Sequence, residues 1–568
     1  MSFSGTMQVR GRNWTTAAVF AGFFALYLAT PTSNYTFDAV SYAGMVRLAE
    51  QAGPPPLFHP HHLLTGVAGW TFWRLLRLVS PQIDPLGSLQ VMNAFAGAVG
   101  LAVLFTVLRR LLIDTDREDS SAGRESAVAA VAAAAVGLTF GWWVASTDGR
   151  ANIPPMAAIF AAFYFAYRTA RTASARSAAA LGGSIALAVL LHQSHALFLA
   201  VCAAAVLMAP VRTGRKLRLA GAALAAFVPT VFLPYAIALR IHGVENLGEA
   251  LDWTLTYAHT GIWWSFDVTS NLGRDLYALR HAFLANVPKG AAAIPSAAAA
   301  SSYGLIIFSS ILVSLGLLDR TIGTLRRRKR RQAQALSMAS VKGGSVGEAV
   351  RQPGPLFVFN VLAGIWILVY SAFFTVWNPG YFVFWIPVMS AWVMVLAVNA
   401  SAWTDRRYVV WTAAAAAVCF AIANAALYVL PRMPAESNQS LAIARQVRAN
   451  TPARSLVVVA GTGYLAQMEV YLPYFSERET VSLHEVMSRH GKNGLRWLAR
   501  KLRADLSAGK HVYLFGEAFD SPKAWQELSA RYGLERQAVH GVLDSFRPKP
   551  VFRAGDQLVY ELRAAGGE

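Results

Sequence analysis

Long apolar runs recur along this chain and decide what it can fold into. About eleven of them approach the roughly 20 residues that a helix needs to cross the hydrocarbon core of a bilayer. Only 14% of the 568 residues are charged and 55% are hydrophobic, with a mean hydropathy of +0.38. A soluble domain carries about 25% charged residues. The sequence therefore predicts an α-helical polytopic membrane protein.

The predicted spans are separated by loops whose content of Lys and Arg distinguishes the two sides of the membrane. They cover 14–30, 88–110, 126–145, 154–169, 177–192, 195–209, 218–239, 302–318, 356–376, 382–399 and 409–430. With a cytoplasmic N-terminus, the loops assigned inside carry Lys or Arg close to a span end, whereas the short outer loops "STDGRANIPP", "HQSH" and "WNPGYF" are nearly free of cations. The "LLHQSH" stretch within 177–210 leaves open whether one kinked helix or two helices lie there.

The net charge of +20 is distributed as a membrane topology signal. Its densest cluster, "RTIGTLRRRKRRQ" at 320–332, directly follows an apolar run, as the positive-inside rule predicts. This placement argues against a nucleic-acid partner and makes the basic loops topology signals first, with contact to anionic membrane lipids as a secondary role. Cys202 and Cys419 lie inside apolar runs and offer neither a disulfide framework nor a zinc motif.

We expect the transmembrane domain to occupy residues 1–430, including a first outer loop at 31–87. Within that loop, residues 39–50 and 63–78 are predicted to form two helices that lie on the membrane surface, joined by "GPPPLFHPH". The first would place Tyr42, Met45, Val46 and Ala49 on one apolar face. Residues 431–568 are richer in charge and show strand, helix, strand, helix and hairpin patterns. They predict a small α/β domain on the outer side.

Polar residues whose side chains could act in catalysis or binding lie together on that outer side. The candidates are Asp38, His59, His62, Asp148, Arg150, His192, His195, Trp263 and Trp264. Each has a plainer explanation: Asp38 as a helix N-cap, Asp148-Gly149 as a turn, and the tryptophans, with Trp142 and Trp143, as an interfacial belt. Proline within "HPHH" breaks the spacing that aims two imidazoles at one metal ion, so no metal site is predicted.

Taken in order, these features resemble the GT-C class of integral-membrane glycosyltransferases, which includes protein O-mannosyltransferases and bacterial aminoarabinose transferases. The best local match is to a bacterial mannosyltransferase-like branch. It is carried by Asp38, "FHPHHLLTG", "NAFAGAVGLAVLFTVLRR", "STDGRANIPPMAAIFAAFYFAYR", "IALAVLLHQSHALFLA" and "NPGYFVFWIP". Many relatives carry a second acidic residue near the first aspartate, where this chain has Ser41.

The resemblance implies a donor sugar on a polyprenyl phosphate and an acceptor hydroxyl on a glycan, lipid or protein. Asp38 would be the general base of an inverting transfer that needs no cofactor. Arg150, His62, His192 and His195 would accompany the leaving phosphate, and the loop with Trp263 and Trp264 would cover the sugar or hold the lipid chain. Composition favours a bacterial inner membrane, with the active site and the C-terminal domain on its outer side.

Three other functions use similar features. An O-antigen polymerase or ligase also acts on lipid-linked glycans, through arginines in a large outer loop, and Arg240, Arg274 and Arg280 are available here. A transporter of lipid-linked sugars would show polar or broken spans at the midplane and a repeat. A scaffold for envelope assembly is the third alternative.

Overall fold

The computed structural model describes residues 4–115, 122–256, 263–286, 353–403, 406–462 and 465–563. Helices dominate the first three quarters of the chain, and a five-stranded sheet forms near its C-terminus. The helices of the first part are α1 Ser4–Ala29, α2 Phe37–Ala52, α3 Leu63–Arg77, α4 Pro85–Thr115, α5 Ala122–Gly137, α6 Phe140–Thr147, α7 Met156–Thr172, α8 Ala175–Leu191, α9 Leu199–Met208, α10 Thr213–Ile241, α11 Leu247–Thr254, α12 Val268–Phe283, α13 Pro355–Val376, α14 Ile386–Trp403 and α15 Arg406–Asn424.

Helix forms over every predicted span that falls within the described residues; the span predicted at 302–318 lies outside them. Within the described residues, five helical segments are long and apolar enough to cross a membrane on their own: Pro85–Thr115, Thr213–Ile241, Pro355–Val376, Phe382–Ser401 and Tyr408–Arg432. A sixth crossing is available if α5 and α6, bent by 67° at their junction, count as one span. The chain is an integral membrane protein, although the predicted number of eleven spans is not established.

Helix α4 lies at the centre of the bundle and contacts α1, α5, α6 and α7. Small residues allow this close packing, because a Cβ atom on Gly97 would approach the Ser146 hydroxyl to 2.3 Å and one on Gly100 would approach Trp142 to 3.0 Å. Helix α6 is thereby held against α4. Its last residue is Thr147, so the segment from Asp148 to Arg150 leaves the bundle directly beside α4.

The "LLHQSH" question is settled in favour of two helices. Helix α8 ends at Leu191, a 3₁₀ turn spans Gln193–Phe198, and α9 follows from Leu199. Helix α8 packs mainly on α10 and α7, whereas α9 packs on α7 and α13. The two histidines of this stretch lie at the break, at the same end of the bundle as α2 and α3.

The two helices predicted in the first loop are both present, joined by 3₁₀ turns at Pro55–Leu57 and Pro60–His62. The predicted apolar face of α2 is correct at Tyr42, Val46 and Ala49, which are buried. It packs against protein, since Tyr42 belongs to one core with α4 and with residues from the C-terminal sheet.

The C-terminal α/β unit contains the predicted strands and hairpin, and one further strand. Its strands are β1 Leu456–Val459, β2 Glu479–Ser482, β3 Val512–Phe515, β4 Lys549–Ala554 and β5 Gln557–Leu562. Its helices are α16 Gln439–Asn450, α17 Met468–Tyr471, α18 Leu483–His490, α19 Gly494–Ser507, α20 Glu517–Asp520, α21 Pro522–Tyr532 and α22 Arg536–Asp544. The sheet order is β2-β1-β3-β5-β4, in which β1 pairs parallel with β2 and β3, and the other pairs are antiparallel.

Specific contacts hold this unit against the first outer loop, residues 31–87. Arg47 of α2 donates to the Tyr474 carbonyl at 2.8 Å, and its guanidinium lies 3.8 Å from the centre of the Tyr474 ring. The Tyr474 hydroxyl in turn donates to Asp84 at 3.1 Å, just before α4. The α/β unit therefore packs over α2 at one end of the helical bundle.

Close packing of α8 on α10 gives a first test. A Cβ atom on Gly182 would meet the Ala223 carbonyl oxygen at 2.0 Å and its carbonyl carbon at 2.8 Å, whereas one on Gly183 would meet nothing within 4 Å. Because backbone atoms cannot move aside cheaply, we expect Gly182→Ala to lower the free energy of unfolding by about 1–3 kcal/mol. Gly183→Ala should leave it unchanged or raise it by up to ~1 kcal/mol. Thermal unfolding of both variants in lipid measures the difference, and equal midpoints would contradict the packing of these helices.

Candidate active site at the start of α2

A tight turn at the end of α6 is the framework of the site. Asn93, fully buried on α4, donates its side-chain amide to the carbonyls of Asp148 at 2.5 Å and Arg150 at 2.6 Å. It also lies 3.2 Å from the Ala145 carbonyl. One amide group on the central helix thus satisfies carbonyls that the end of α6 leaves without partners, and it fixes the backbone of residues 148–150.

The turn holds a buried ion pair. Asp148 is 0% exposed and Arg150 3% exposed, and the Arg150 Nη2 and Nε atoms lie 3.0 and 3.1 Å from Asp148 Oδ2. The Gly149 N–H donates to Oδ1 at 2.9 Å, and the Thr36 hydroxyl donates to Oδ2 at 2.6 Å. Both oxygens of Asp148 are therefore occupied. This carboxylate holds Arg150 in place and has little capacity left for substrate.

Arg150 has one unused donor. Its Nη1 atom is buried and has no hydrogen-bond partner in the described part of the chain. The guanidinium lies 5.8 Å from the centre of the Phe382 ring. Beside it, burial raises the pKa of the Tyr381 hydroxyl to about 12, so this phenol stays protonated and can donate. A buried donor of this kind is costly unless a ligand or water meets it.

Asp38 stands in the first turn of α2, next to this pair. The N-cap of α2 is Thr36, whose side chain accepts from the Ala39 N–H, so the interpretation of Asp38 as a cap is wrong. No described residue donates a hydrogen bond to the Asp38 carboxylate, which is partly exposed. Burial raises its pKa, the charge of Arg150 lowers it, and the charge of Asp148 raises it again, with a net upward shift. A partly desolvated carboxylate without partners is suited to accept a proton.

The histidines of "HPHH" and those of "LLHQSH" meet one turn further along α2. The His62 and His192 rings are 4.3 Å apart between centroids, His59 lies 5.6 Å from His62, and His195 lies 5.6 Å from His192. Tyr42, four residues after Asp38 and so on the same face of the helix, contacts the edge of the His62 ring at 5.8 Å. Four predicted site residues from two distant segments are thus brought together near Asp38.

These imidazoles are held neutral and partly oriented. Burial lowers the pKa of His59 to about 4 and holds that of His62 well below its usual value. His195 Nδ1 and the Tyr370 hydroxyl are 2.8 Å apart, and His192 Nδ1 lies 2.8 Å from the Ser194 hydroxyl. The buried His62 Nδ1 has no partner among the described residues. No group of three or more potential ligands in the described ranges has a geometry that would hold a metal ion.

Trp263 and Trp264 contact the residues that follow α13. Trp264 packs on Trp377 with centroids 4.7 Å apart and pairs with it across a short bridge at the end of α13. The Asn378 N–H donates to the Trp263 carbonyl at 2.7 Å. These contacts attach the loop to α13, and a substrate role for the two residues stays a prediction. The expectation that Trp142 and Trp143 form an interfacial belt is wrong, because both are buried in the bundle and Trp143 donates to the Thr30 hydroxyl.

Several residues of the site escaped sequence reasoning. Thr36, Tyr42 and Tyr370 are common residue types without motif value. Tyr381 was visible only as part of the "NPGYFVFWIP" segment, and Asn93 only as the asparagine at the start of a span. The one available signal was that a polar side chain inside an apolar helix must find a partner. It pointed to Asn93 but not to the turn that it binds.

Among known proteins, the similarity to this chain lies in the structure and not in the sequence. No protein-family model matches the sequence, and no curated protein is significantly similar to it. Among solved structures, ArnT from Cupriavidus metallidurans in the apo state matches with a TM-score of 0.58 at 13% identity, covering 99% of this chain and 100% of ArnT. The chain has the GT-C fold.

Two further solved structures are similar to this chain to different degrees. The same ArnT bound to undecaprenyl phosphate gives a TM-score of 0.54 at 13% identity, over 98% of this chain and 99% of ArnT. The S. cerevisiae protein O-mannosyltransferase Pmt1-Pmt2 complex bound to the sugar donor reaches only 0.33 at 15% identity, over 48% of this chain and 37% of that one, and carries no weight here. The predicted GT-C resemblance is confirmed at the level of fold, with the C-terminal α/β unit inside the matched region.

The histidine cluster predicts how stability depends on pH. Burial lowers the pKa values of His59 and His61 to about 4 and about 3, against about 6.5 in an unfolded chain. Between pH 6.5 and 4 the unfolded chain binds more protons, so the free energy of unfolding should fall as the pH falls. His59→Asn keeps a side-chain acceptor for the His61 N–H that His59 caps, yet removes one titrating group. Its pH slope, from thermal unfolding in lipid at pH 7.5 to 5, should be shallower by up to about one proton. Identical slopes would contradict a buried, neutral His59.

Proposed function

We propose that this chain is a glycosyltransferase that moves a sugar from a polyprenyl-phosphate donor to an acceptor hydroxyl, with Asp38 as the general base. The observation that carries the proposal is the pairing of unlike groups at the start of α2. Asp38 is a carboxylate without a hydrogen-bond partner in the described chain, and the buried Arg150 beside it has an unpaired Nη1 donor. A base and an anion-binding group side by side are what sugar transfer from a phosphate needs.

The reaction balances without a cofactor. The acceptor oxygen attacks the anomeric carbon and gives its proton to the Asp38 carboxylate. The bond between the anomeric carbon and the phosphate oxygen breaks, and the electron pair leaves with the phosphate. Because the nucleophile enters opposite the leaving group, one displacement inverts the anomeric configuration. The leaving phosphate is already stable as an anion, so no strong general acid is required.

Arg150 is the residue that we assign to that phosphate. Its Nη2 and Nε atoms are engaged by Asp148, which keeps the guanidinium fixed while Nη1 stays available. A charge-assisted hydrogen bond from a fixed donor in a site of low polarity stabilises developing negative charge strongly. Asp148 is therefore a positioning residue in this proposal.

The histidine cluster supplies neutral hydrogen-bonding groups about one helical turn from Asp38, beside Tyr42. His62, with its unpaired Nδ1, faces His192, and His195 is held by Tyr370. Neutral imidazoles donate to phosphate or sugar oxygens without adding charge, so they suit binding better than proton transfer at physiological pH. We assign His59, His62, His192 and His195 to contact with the donor's head group.

The placement of the site supports a donor that arrives from the bilayer. Asp38 lies just after α1, and Arg150 lies between α6 and α7, so both stand where helices leave the bundle. ArnT, whose fold this chain shares, has been crystallised with undecaprenyl phosphate. The cation-rich loops predict that this end of the bundle faces away from the cytoplasm, which in a bacterium is the outer side of the inner membrane.

The central test is Asp38→Asn, compared with Glu50→Gln. Removing the base should lower transfer by about 10²–10⁴-fold. Glu50 lies on the same helix but at the surface, paired with Arg74 at 2.7 Å, so its variant should keep full activity. Purified protein in lipid nanodiscs is incubated with labelled undecaprenyl-phosphate sugars and a membrane extract as acceptor, and loss of label from the donor is measured. Full activity of Asp38→Asn would refute the base, and consumption of only diphosphate-linked glycans would favour a polymerase.

Arg150→Lys tests the anion site without leaving Asp148 unpaired. Lysine keeps the positive charge, and so avoids the destabilisation that a buried lone carboxylate brings, but it lacks the second arm that Nη1 provides. We expect transfer to fall by about 10²–10³-fold, with a smaller loss of thermal stability than a neutral residue at this buried position would cause. Arg74→Lys, at the exposed pair with Glu50, is the matched control. Equal rates for Arg150→Lys and wild type would exclude contact between Nη1 and the phosphate.

A further inference from the structure

A groove at the opposite end of the bundle has no part in the proposed reaction. It runs between α1, α4 and α7 and has a volume of about 770 Å³. Its walls are apolar over most of their length, with Phe20 of α1, Val103 of α4 and Phe165 of α7 among them, and it ends at Arg110 and Tyr164. A groove on the surface of a membrane bundle, apolar along its length and cationic at one end, matches the shape and charge of a lipid with an anionic head.

The cationic end lies at the depth of a lipid head group. Arg110 follows Asn93 by 17 residues on one continuous helix, which places it about 26 Å further along the axis. Asn93 itself is at the level of the Asp148–Arg150 turn, where the chain leaves the bundle. Since the hydrocarbon core is about 30 Å thick, Arg110 reaches the boundary of the opposite leaflet, which the charge pattern assigns to the cytoplasm.

The side chains at the cationic end of the groove can bind an anion. Arg110 is exposed, its Nη1 donates to the Tyr164 hydroxyl at 2.9 Å, and its guanidinium lies 5.4 Å from the centre of that ring. Holding one arm of the guanidinium on Tyr164 leaves its other donors and the phenol proton for a ligand. Arg168 and Arg171 add positive charge nearby, against Asp114, which interacts with all three arginines.

We propose that this groove binds one anionic glycerophospholipid of the leaflet opposite to Asp38. One acyl chain would lie along Phe20, Val103 and Phe165, and the phosphate would accept hydrogen bonds from Arg110 and Tyr164. Basic pockets between transmembrane helices at the cytoplasmic side bind anionic head groups in this way. The proposal is independent of the proposed function, because none of these residues contacts Asp38, Arg150 or the histidine cluster in the described structure.

The test uses full-length protein in phosphatidylcholine nanodiscs that contain phosphatidylglycerol, with retained lipids counted by native mass spectrometry. Wild type should retain one phosphatidylglycerol in preference to phosphatidylcholine. Arg110→Gln should weaken that preference about fivefold, the effect of one cation near a membrane surface. Arg176→Gln, at an exposed arginine near the start of α8, is the control and should retain it.

A second pair of variants tests the acyl chain. Val103→Trp fills the groove and should abolish retention of either lipid, whereas Leu224→Trp, on an exposed face of α10, should not. Absence of any preference in wild type, or equal weakening by Arg110→Gln and Arg176→Gln, would overturn the proposal. Displacement of phosphatidylglycerol by an equal concentration of undecaprenyl phosphate would also overturn it, and would assign the groove to the tail of a polyprenyl lipid.

Discussion

The Asp148–Arg150 ion pair is the interaction on which the site depends. Taking two charges out of water costs several kcal/mol for each ion, and the cost is recovered only where hydrogen bonds satisfy both groups. Here Thr36, Gly149 and Arg150 itself saturate the carboxylate, and Asn93 satisfies the backbone around it. The compensation is complete for Asp148 and incomplete for Arg150, whose Nη1 donor has no partner in the described chain. An asymmetric ion pair of this kind is stable enough to form and still favours an anionic ligand.

The same arrangement gives the two carboxylates, Asp148 and Asp38, different roles. Asp148 and Asp38 both lie near Arg150, but Asp148 is completely buried and hydrogen-bonded, while Asp38 is partly exposed and has no donor among the described residues. Burial raises the pKa of Asp38, and the positive charge of Arg150 limits that rise. When two acidic groups differ this far in environment, the saturated one is structural and the other is available for proton transfer. Thr36 joins them physically, since it caps the helix of Asp38 and donates to Asp148.

Sequence patterns predicted those parts of the molecule that follow from local chemistry. Apolar runs located the helices, the face of α2 carrying Tyr42, Val46 and Ala49 was correct, and the strands β1 and β3 were found as short buried runs. Strand β2, "ETVS", has one apolar residue among its four, so no hydrophobic run or periodicity marks it. The histidines were identified singly, but their meeting was not predictable, because it depends on where α3 and α8 pack. Trp142 shows the same limit: its burial is decided by contact with α4, which composition cannot reveal.

The packing of the C-terminal unit on α2 fixes the helix that carries the proposed general base. A helix held only by lipid would rotate and shift with the membrane, and a base displaced by 1 Å loses much of its effect. Helix α2 is instead fixed on one side by α4 and on another by the core around Tyr471 and Tyr474. Arg47, nine residues after Asp38, clamps the far half of the helix to Tyr474, and Thr36 fixes its first turn. Asp38 therefore stands on a helix that protein contacts hold at both ends, while its own carboxylate remains accessible.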